Sequence, residues 1–443
     1  MKTIGIDLGT TKVAVVLAED GKLIAAESAA HNARVVLENP RAAEQNVAEI
    51  FDCVKKLLSC FPADLRCKVQ AVGITGQMHS VMLTDRCGNF SHLMTWQDHR
   101  CGKDRLEQFN QCSGLNLREG FGGTTLARLA QQGDLQQYTS AATISDMLGA
   151  YLCRNPRIHT DPTHAASWGL WDHLKANWNF DALKRLNIDP EILPEVLPSG
   201  AVIGHISPDR GGEFGIPANI PVINGIGDNQ ASILGSGHDL EREVFLTLGT
   251  GAQLSAVVSG DFPLCSDILE LRPFPGDKAL LVAAPMCGGS AFALLADTVN
   301  RFRQDLLGEE PLPRGELLDK LDAAAVDFLT RYGEPSIQIK PHFCGERYQA
   351  DLRGCIEGLT LTNTAPGELA AALATGIVRN LKKDFPTEVF NGRTRIVGSG
   401  NAVRLLKSIQ MVIRQEFPLE LEFSEAKEEA AVGAARLACK NGG

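Results

Sequence analysis

Thr3-Ile4-Gly5-Ile6-Asp7-Leu8-Gly9-Thr10-Thr11-Lys12-Val13-Ala14-Val15-Val16 places apolar, strand-forming residues on both sides of a Gly-Thr turn. A second stretch of the same build, Val244-Phe245-Leu246-Thr247-Leu248-Gly249-Thr250-Gly251-Ala252-Gln253-Leu254-Ser255-Ala256-Val257-Val258, lies about half a chain later. Turns of this kind bare backbone N–H groups and hydroxyls, and two of them facing each other would clamp a polyphosphate.

Outward from the first turn, residues 3–8 and 12–18 read as strands, and Asp20-Gly21 signals a hairpin into Leu23–Ala29. Helical spacing of Val47, Ile50, Phe51, Val54, Leu57 and Leu58 follows over 43–60, then a buried strand at 69–75. Residues 100–200 read as mainly helical. Strands are expected at 220–226, 279–284 and 335–340, and helices at 290–305, 366–385 and 425–439. Strands alternating with helices imply an α/β layer architecture. Each half opens on a strand–Gly-Thr–strand unit, a weak internal repeat that suggests two similar α/β domains around a cleft. Gly235-Ser236-Gly237 is the candidate hinge, giving domains 1–237 and 238–443.

The 443 residues are 44% hydrophobic and 22% charged, a globular composition with room for two domains or three. A net charge of −10 argues against a nucleic-acid partner, and no stretch is long and apolar enough to span a bilayer. The chain enters a strand at once, so no signal peptide and a cytoplasmic location are expected. Its twelve cysteines show no CxxC pair or zinc spacing and are expected reduced. Cys53, Cys60 and Cys67, seven apart, are expected as small buried apolar residues in or near a helix.

Several residues suit chemistry. Asp7, ending a strand beside the first turn, would hold Mg²⁺ near phosphate oxygens or simply cap the turn. Asp228 follows Gly225-Ile226-Gly227 at a strand end, where it would accept a proton from an attacking hydroxyl or cap the next helix. Gly398-Ser399-Gly400-Asn401, between a strand and a helix, suits a nucleotide base and ribose. Gln77, Met78, His79, Trp96, Gln97 and Asp98 offer amides, a carboxylate and an indole, a set that suits a polyol. Packing and turn polarity are the plainer reading of the same residues. Trp168 and Trp171 fit core or cleft wall, with core favoured for Trp171, and Glu346-Arg347 fits a surface ion pair or a structural one beneath the cleft.

Taken in order, these pieces resemble the FGGY carbohydrate kinases of the actin/Hsp70/sugar-kinase ATPase group. Ile4–Thr11 is similar to the family's first phosphate motif and Gly227-Asp228-Asn229-Gln230-Ala231 to its catalytic motif. Leu248–Gly251 is similar to the second phosphate motif, Gly398–Asn401 to the adenosine motif, and Ala430-Ala431-Val432-Gly433-Ala434-Ala435 to the terminal helix. The likeness spans nearly the whole chain. It implies two actin/Hsp70-like (ribonuclease H-like) ATPase domains, sugar-binding then nucleotide-binding, with ATP and Mg²⁺. Asp228 would be the base, and Asp7 with Asp228 would serve the metal. Gly9, Thr10, Thr11, Lys12, Gly249, Thr250, Gly251 and Gly289 would surround the phosphates, Gly398, Ser399, Gly400 and Asn401 the adenosine, and Gln77, Met78, His79, Trp96, Asp98 and Asn229 the sugar.

Within the family, Gly76–His79, Ser91–Asp98, Arg100-Cys101, Gly120-Phe121-Gly122, Ala166–Gly169 and Gly345-Glu346-Arg347 resemble the ketose kinases. That likeness implies phosphorylation of a ketose primary hydroxyl, sedoheptulose to its 7-phosphate first and xylulose or another ketose second, by a monomer or homodimer. The chain departs from many relatives in carrying Ala14 where they have a basic residue, with Lys12 the nearby base, and in being somewhat short. A binding protein with catalysis lost, and a chaperone-like or cytoskeletal ATPase, remain the other classes.

Overall fold

The first turn joins β1 (Lys2–Leu8) to β2 (Lys12–Glu19), paired antiparallel from Lys2↔Glu19 to Leu8↔Val13, and β3 (Lys22–Ala30) continues the meander. The structure, a computed structural model, describes residues 1–442 except 265, 267, 348, 350, 425 and 426. After α1 (Val47–Cys60), β4 (Ala71–Gly76) runs parallel to β1. Then come α2 (Ile144–Cys153), α3 (Pro162–Ser167), β5 (Val202–His205), β6 (Pro221–Gly227) and α4 (Asp228–Ser236). The sheet order is β5-β6-β4-β1-β2-β3. Apolar side chains at i, i+3, i+4 and i+7 of α1 (Val47, Ile50, Phe51, Val54) join Ile4, Ile6, Leu8, Val13 and Val15 in the core on one sheet face.

The second unit repeats the antiparallel meander and the parallel strands beside it. β7 (Glu243–Leu248) and β8 (Ala252–Ser259) form the second hairpin, followed by β9 (Glu270–Phe274) and β10 (Lys278–Ala283). Then come α5 (Gly289–Leu307), α6 (Arg314–Tyr332), α7 (Pro366–Lys382), β11 (Arg395–Ser399), α8 (Asn401–Leu405), α9 (Lys407–Glu416) and β12 (Glu420–Phe423). Its sheet order is β9-β10-β8-β7-β11-β12, with β11 parallel to β7 and β12 parallel to β11. Two antiparallel hairpins followed by parallel strands is the ribonuclease H-like arrangement of actin and Hsp70, present twice.

One domain boundary needs correction. The first unit comprises residues 1–236, 273–277 and 426–443 and the second 237–272 and 278–425, so the end of the chain does not belong with 238–443. The last helix, α10 (Glu429–Asn441), covers the second face of the first sheet, with Ala431, Val432 and Ala435 against Ala14, Val16 and Ala18. Residues 425 and 426 of the helix expected at 425–439 lie outside the described residues. Small residues let the backbones nearly touch: a Cβ on Gly5 would lie 1.9 Å from Ala431 O, and one on Gly433 1.9 Å from Ala231 O. Only glycine permits that approach, and it secures α10 to both β1 and α4.

Residues 81–193 build a smaller core around the fully buried Trp168, with Trp171 and Trp178 against it, so both Trp168 and Trp171 are core. The cysteine reading is corrected: Cys53 is half-buried, while Cys60 and Cys67 are exposed. They lie at the flank and end of α1 and just beyond the short helix Ala63–Arg66, with Cys60 Sγ and Cys67 Sγ bonding backbone carbonyls at 3.4 Å.

Candidate active site

Parallel strands β6, β4 and β1 end in one row, with Gly227 paired to Gly76 and Gly76 to Leu8. Asp7 stands one residue before that row, and Asp228 begins α4 one residue after it. The two carboxylates therefore gather at the carboxyl ends of the two strands that flank β4, where α/β sheets open into ligand sites. Asp7 Oδ1 is buried with no hydrogen-bond partner. Burial, then the charges of Asp228 and Glu428, push the Asp7 carboxyl up to about 7, with Lys12 opposing. A buried acceptor without a donor, repelled by two further carboxylates, is a place for a cation. Among the described residues no group of three or more His, Cys, Asp or Glu converges as a metal site. Mg²⁺ needs no such cage, because it keeps several waters and takes one or two carboxylates plus phosphate oxygens, so Asp7 and Asp228 fit it.

The turn beside Asp7 is held by side chains from elsewhere. Gln45 Nε2 donates to Thr10 O at 2.6 Å, Gln77 Nε2 to Gln45 Oε1 at 2.8 Å, and Thr10 Oγ1 to Gln77 Oε1 at 3.3 Å, closing a ring. Trp96 Nε1 donates to Thr10 Oγ1 at 2.9 Å, and His31 Nε2 lies 3.1 Å from Gly9 O. Gln45 and His31 were missed from sequence. Gln45 lies in a two-residue strand, Glu44–Gln45, whose only signal is its tertiary pairing to Leu93–Met94. Lys12 Nζ sits 2.7 Å from Glu428, so an incoming phosphate would share that ammonium with a carboxylate.

The polyol set divides. Trp96 is exposed and bridges to Thr10; His79, Asp228 and Asn229 are half-buried, and Asn229 Oδ1 lacks a partner. Gln77 and Asp98, expected at the sugar, are both buried and bonded within the protein. Gln77 is only 1% exposed, with both ends of its amide engaged in the ring above. Asp98 is 4% exposed and accepts from Ala43 N at 3.1 Å, Arg100 N at 3.1 Å and Arg100 Nε at 2.7 Å. Met78 is buried and lines up under Gly227, where an added Cβ would meet its sulfur at 2.7 Å.

His79 has φ +68°, a left-handed conformation that side chains rarely adopt. Two bonds hold it: His79 N donates to Ser167 Oγ at 3.1 Å, and Nδ1 lies 2.6 Å from Ser167 O. A carbonyl only accepts, so Nδ1 carries a proton. The ring stacks on Phe121, centroids 4.6 Å apart.

In the second unit the turn Gly249–Gly251 is laced to the start of α5. Gly289 N donates to Gly249 O at 2.8 Å, Gly288 N to Thr250 O at 3.0 Å, and Ser290 Oγ to Thr250 O at 2.8 Å. The loop Gly398–Asn401 joins them, because β11 is parallel to β7 and pairs Ser399 with Thr247, their hydroxyls 2.8 Å apart. A Cβ on Gly400 would lie 2.4 Å from Leu248 O, and one on Gly289 3.0 Å from the Ala402 methyl. The second unit's share of the residues expected around phosphate and adenosine, Gly249–Gly251, Gly289 and Gly398–Asn401, therefore forms one glycine-lined surface, with the N-terminus of the 19-residue α5 beside it. Glu346 and Arg347 do not pair with each other. Glu346 is buried against His342 Nδ1 at 2.8 Å and accepts from Met286 N at 3.2 Å, while Arg347 lies 3.6 Å from Glu270. Neighbouring side chains on this loop point different ways, so adjacency in sequence misled.

The family model for the FGGY family of carbohydrate kinases, N-terminal domain, matches residues 2–235. The chain belongs to the FGGY family of carbohydrate kinases. It is 29% identical to the sedoheptulokinase of Mus musculus over 98% of this chain and 96% of that protein. It is 23% identical to a xylulose kinase of Staphylococcus xylosus over 86% and 78% of the two chains. The crystal structure of a xylulose kinase from Rhodospirillum rubrum superposes with a TM-score of 0.83 at 20% identity, covering 100% of this chain and 90% of that one. This FGGY kinase phosphorylates a sugar with ATP as donor. No helix among its described residues is long and apolar enough to cross a membrane.

Proposed function

We propose that the protein transfers the γ-phosphate of ATP to a primary hydroxyl of a ketose, sedoheptulose giving sedoheptulose 7-phosphate. The observation that carries the chemistry is the pair of carboxylates at the ends of β1 and β6, one with a buried oxygen lacking any donor. The near full-length likeness to the mouse sedoheptulokinase supports the sugar. The weaker likeness to a xylulose kinase makes xylulose the second reading.

In this reading the sugar binds the first domain near His79, Trp96 and Asn229, and the nucleotide binds the glycine-lined surface of the second. Asp228 accepts the proton as the sugar oxygen forms its bond to the γ-phosphorus and the bond to the β–γ bridging oxygen breaks, releasing ADP. Mg²⁺, when bound, would supply neutralisation of the transferring phosphate charge. Asp7 and Asp228 would hold it, directly or through water. Positioning and charge neutralisation supply most of the rate, with the base adding on the order of 10²–10⁴-fold. The first turn, fixed by Gln45 and His31, presents its N–H groups to the phosphate in flight.

A coupled ADP-release assay over three- to seven-carbon ketoses, polyols and aldonates tests the proposal. Turnover with sedoheptulose should exceed that with every other substrate. A clear preference for xylulose would move the assignment to the second reading, and sugar-independent ADP release alone would end both.

A further inference from the structure

We propose that the short helix α3 (Pro162–Ser167) is a positioning element for the reaction, with Thr163 setting the Gly227–Asp228 corner and Ser167 setting His79. The inference rests on the roles given above to Asp228 and His79.

The chain of contacts is short and buried. Gly227 N, the last amide before Asp228, donates to Thr163 Oγ1 at 2.7 Å. The Thr163 hydroxyl in turn donates to Asp161 Oδ1 at 2.7 Å. Asp161 is anchored by His164 N at 3.0 Å and by the hydroxyl of Ser199. Thr163 and Asp161 are fully buried. Asp161 caps α3, and capping needs only its bond to His164 N. The bond from Thr163 to a strand-end amide in β6 is additional. It fixes the direction in which the chain leaves the sheet, and so where the Asp228 carboxylate points. A hydroxyl whose proton is committed to a carboxylate has its lone pairs turned to the amide, which stiffens both bonds.

At its other end α3 holds the left-handed His79 through both Ser167 contacts, and the Ser167 hydroxyl itself donates to His164 O at 2.7 Å. Trp168, next in the chain, donates Nε1 to Ser80 O at 3.1 Å, clamping the same turn from its far side. A strained backbone persists only where its surroundings over-determine it, and here they do so from α3. One rigid six-residue element thus fixes both the proposed proton acceptor and the proposed sugar-side imidazole. Geometric tolerance at a reacting centre is a fraction of an ångström, so shared support matters.

The experiment measures kcat and the sugar and ATP KM, with thermal unfolding, for full-length Thr163→Val, Thr163→Ser and Ser167→Ala, on the best ketose of the panel. Thr163→Val keeps volume and loses the hydroxyl; kcat should fall about 10–100-fold with both KM values within about 3-fold. Thr163→Ser should recover most of kcat. Ser167→Ala should raise the sugar KM about 5–20-fold with ATP KM unmoved. A general packing defect would instead move all parameters together and leave Thr163→Ser no better than Thr163→Val. Should Thr163→Val not fold, Ser199→Ala, which withdraws one donor from Asp161, carries the test with a kcat drop of a few-fold. Unchanged kcat in whichever of these folds, or unchanged sugar KM in Ser167→Ala, overturns the inference. An inactive wild type on the whole panel would instead sink the reading of the site.

Discussion

Replacing Asp7 by asparagine should make the ligand-free protein more stable and a far poorer kinase. In the folded chain the Asp7 carboxyl is pushed up to about 7 from an ordinary 3.8, by burial first and then by Asp228 and Glu428. A displacement of about three units at 1.36 kcal/mol each sets a ceiling of roughly 4 kcal/mol. The high effective dielectric of real sites lowers the expected value to about 1–3 kcal/mol. The folded carboxyl keeps its proton up to about pH 7 while the unfolded one releases it near pH 4. The folded state therefore binds more protons between those values, and this contribution to stability is lost as pH rises through the window. Asparagine does not titrate. In urea unfolding with a chelator and no nucleotide, Asp7→Asn and wild type should be close near pH 4–5, and the variant should be ahead by about 1–3 kcal/mol at pH 8. In the coupled assay its kcat should fall by about 10²-fold or more, with a weakened response to added Mg²⁺, as for loss of a group that stabilises transferring charge. A variant less stable than wild type at pH 8, or a stability gap independent of pH, would refute the electrostatic account. An unaltered Mg²⁺ titration would remove Asp7 from the ion.

Asp228→Asn should retain ATP binding by calorimetry and lose phosphoryl transfer by about 10²–10⁴-fold, and near-normal turnover would exclude it as the base. Gln45→Leu takes the Gln45 donor from Thr10 O and the Gln45 acceptor from Gln77 Nε2, so unfolding free energy should drop by about 1–3 kcal/mol and the ATP KM should rise; an unchanged KM would separate the ring from phosphate binding. Gly5→Ala drives a methyl to 1.9 Å from Ala431 O, backbone that cannot rotate away, and should cost about 3 kcal/mol in thermal or urea unfolding; an unshifted melting temperature would contradict the close packing of α10.

The strand–turn–strand units were legible because their signal is local: two apolar runs about a Gly-Thr corner, with Asp7 beside the first, lie within about fifteen residues. Asp7 and Asp228 could each be read, but their nearness could not, since it comes from β4 pairing with both β1 and β6. Gln77 and Asp98 show the limit of residue type as evidence. An amide and a carboxylate suit a polyol, yet the same groups suit a buried ring with Thr10 and a buried pair with Arg100. Thr163 and Gln45 carried no sequence signal because a short side chain bonding a distant amide or carbonyl has no period. The helix at the end of the chain could be read, but not the sheet face it covers, which is why the domain division placed it with the second half.

The return of α10 to the first sheet has a consequence for biosynthesis. The ribosome releases β1 to β6 long before residues 429–441 exist, so the sheet face bearing Ala14, Val16 and Ala18 waits uncovered while the second unit is made. A nascent chain truncated after residue 237 presents that face, with its glycine notches, to chaperones and to other copies of itself. Premature termination anywhere before the last helix therefore yields a sticky product rather than a smaller working one.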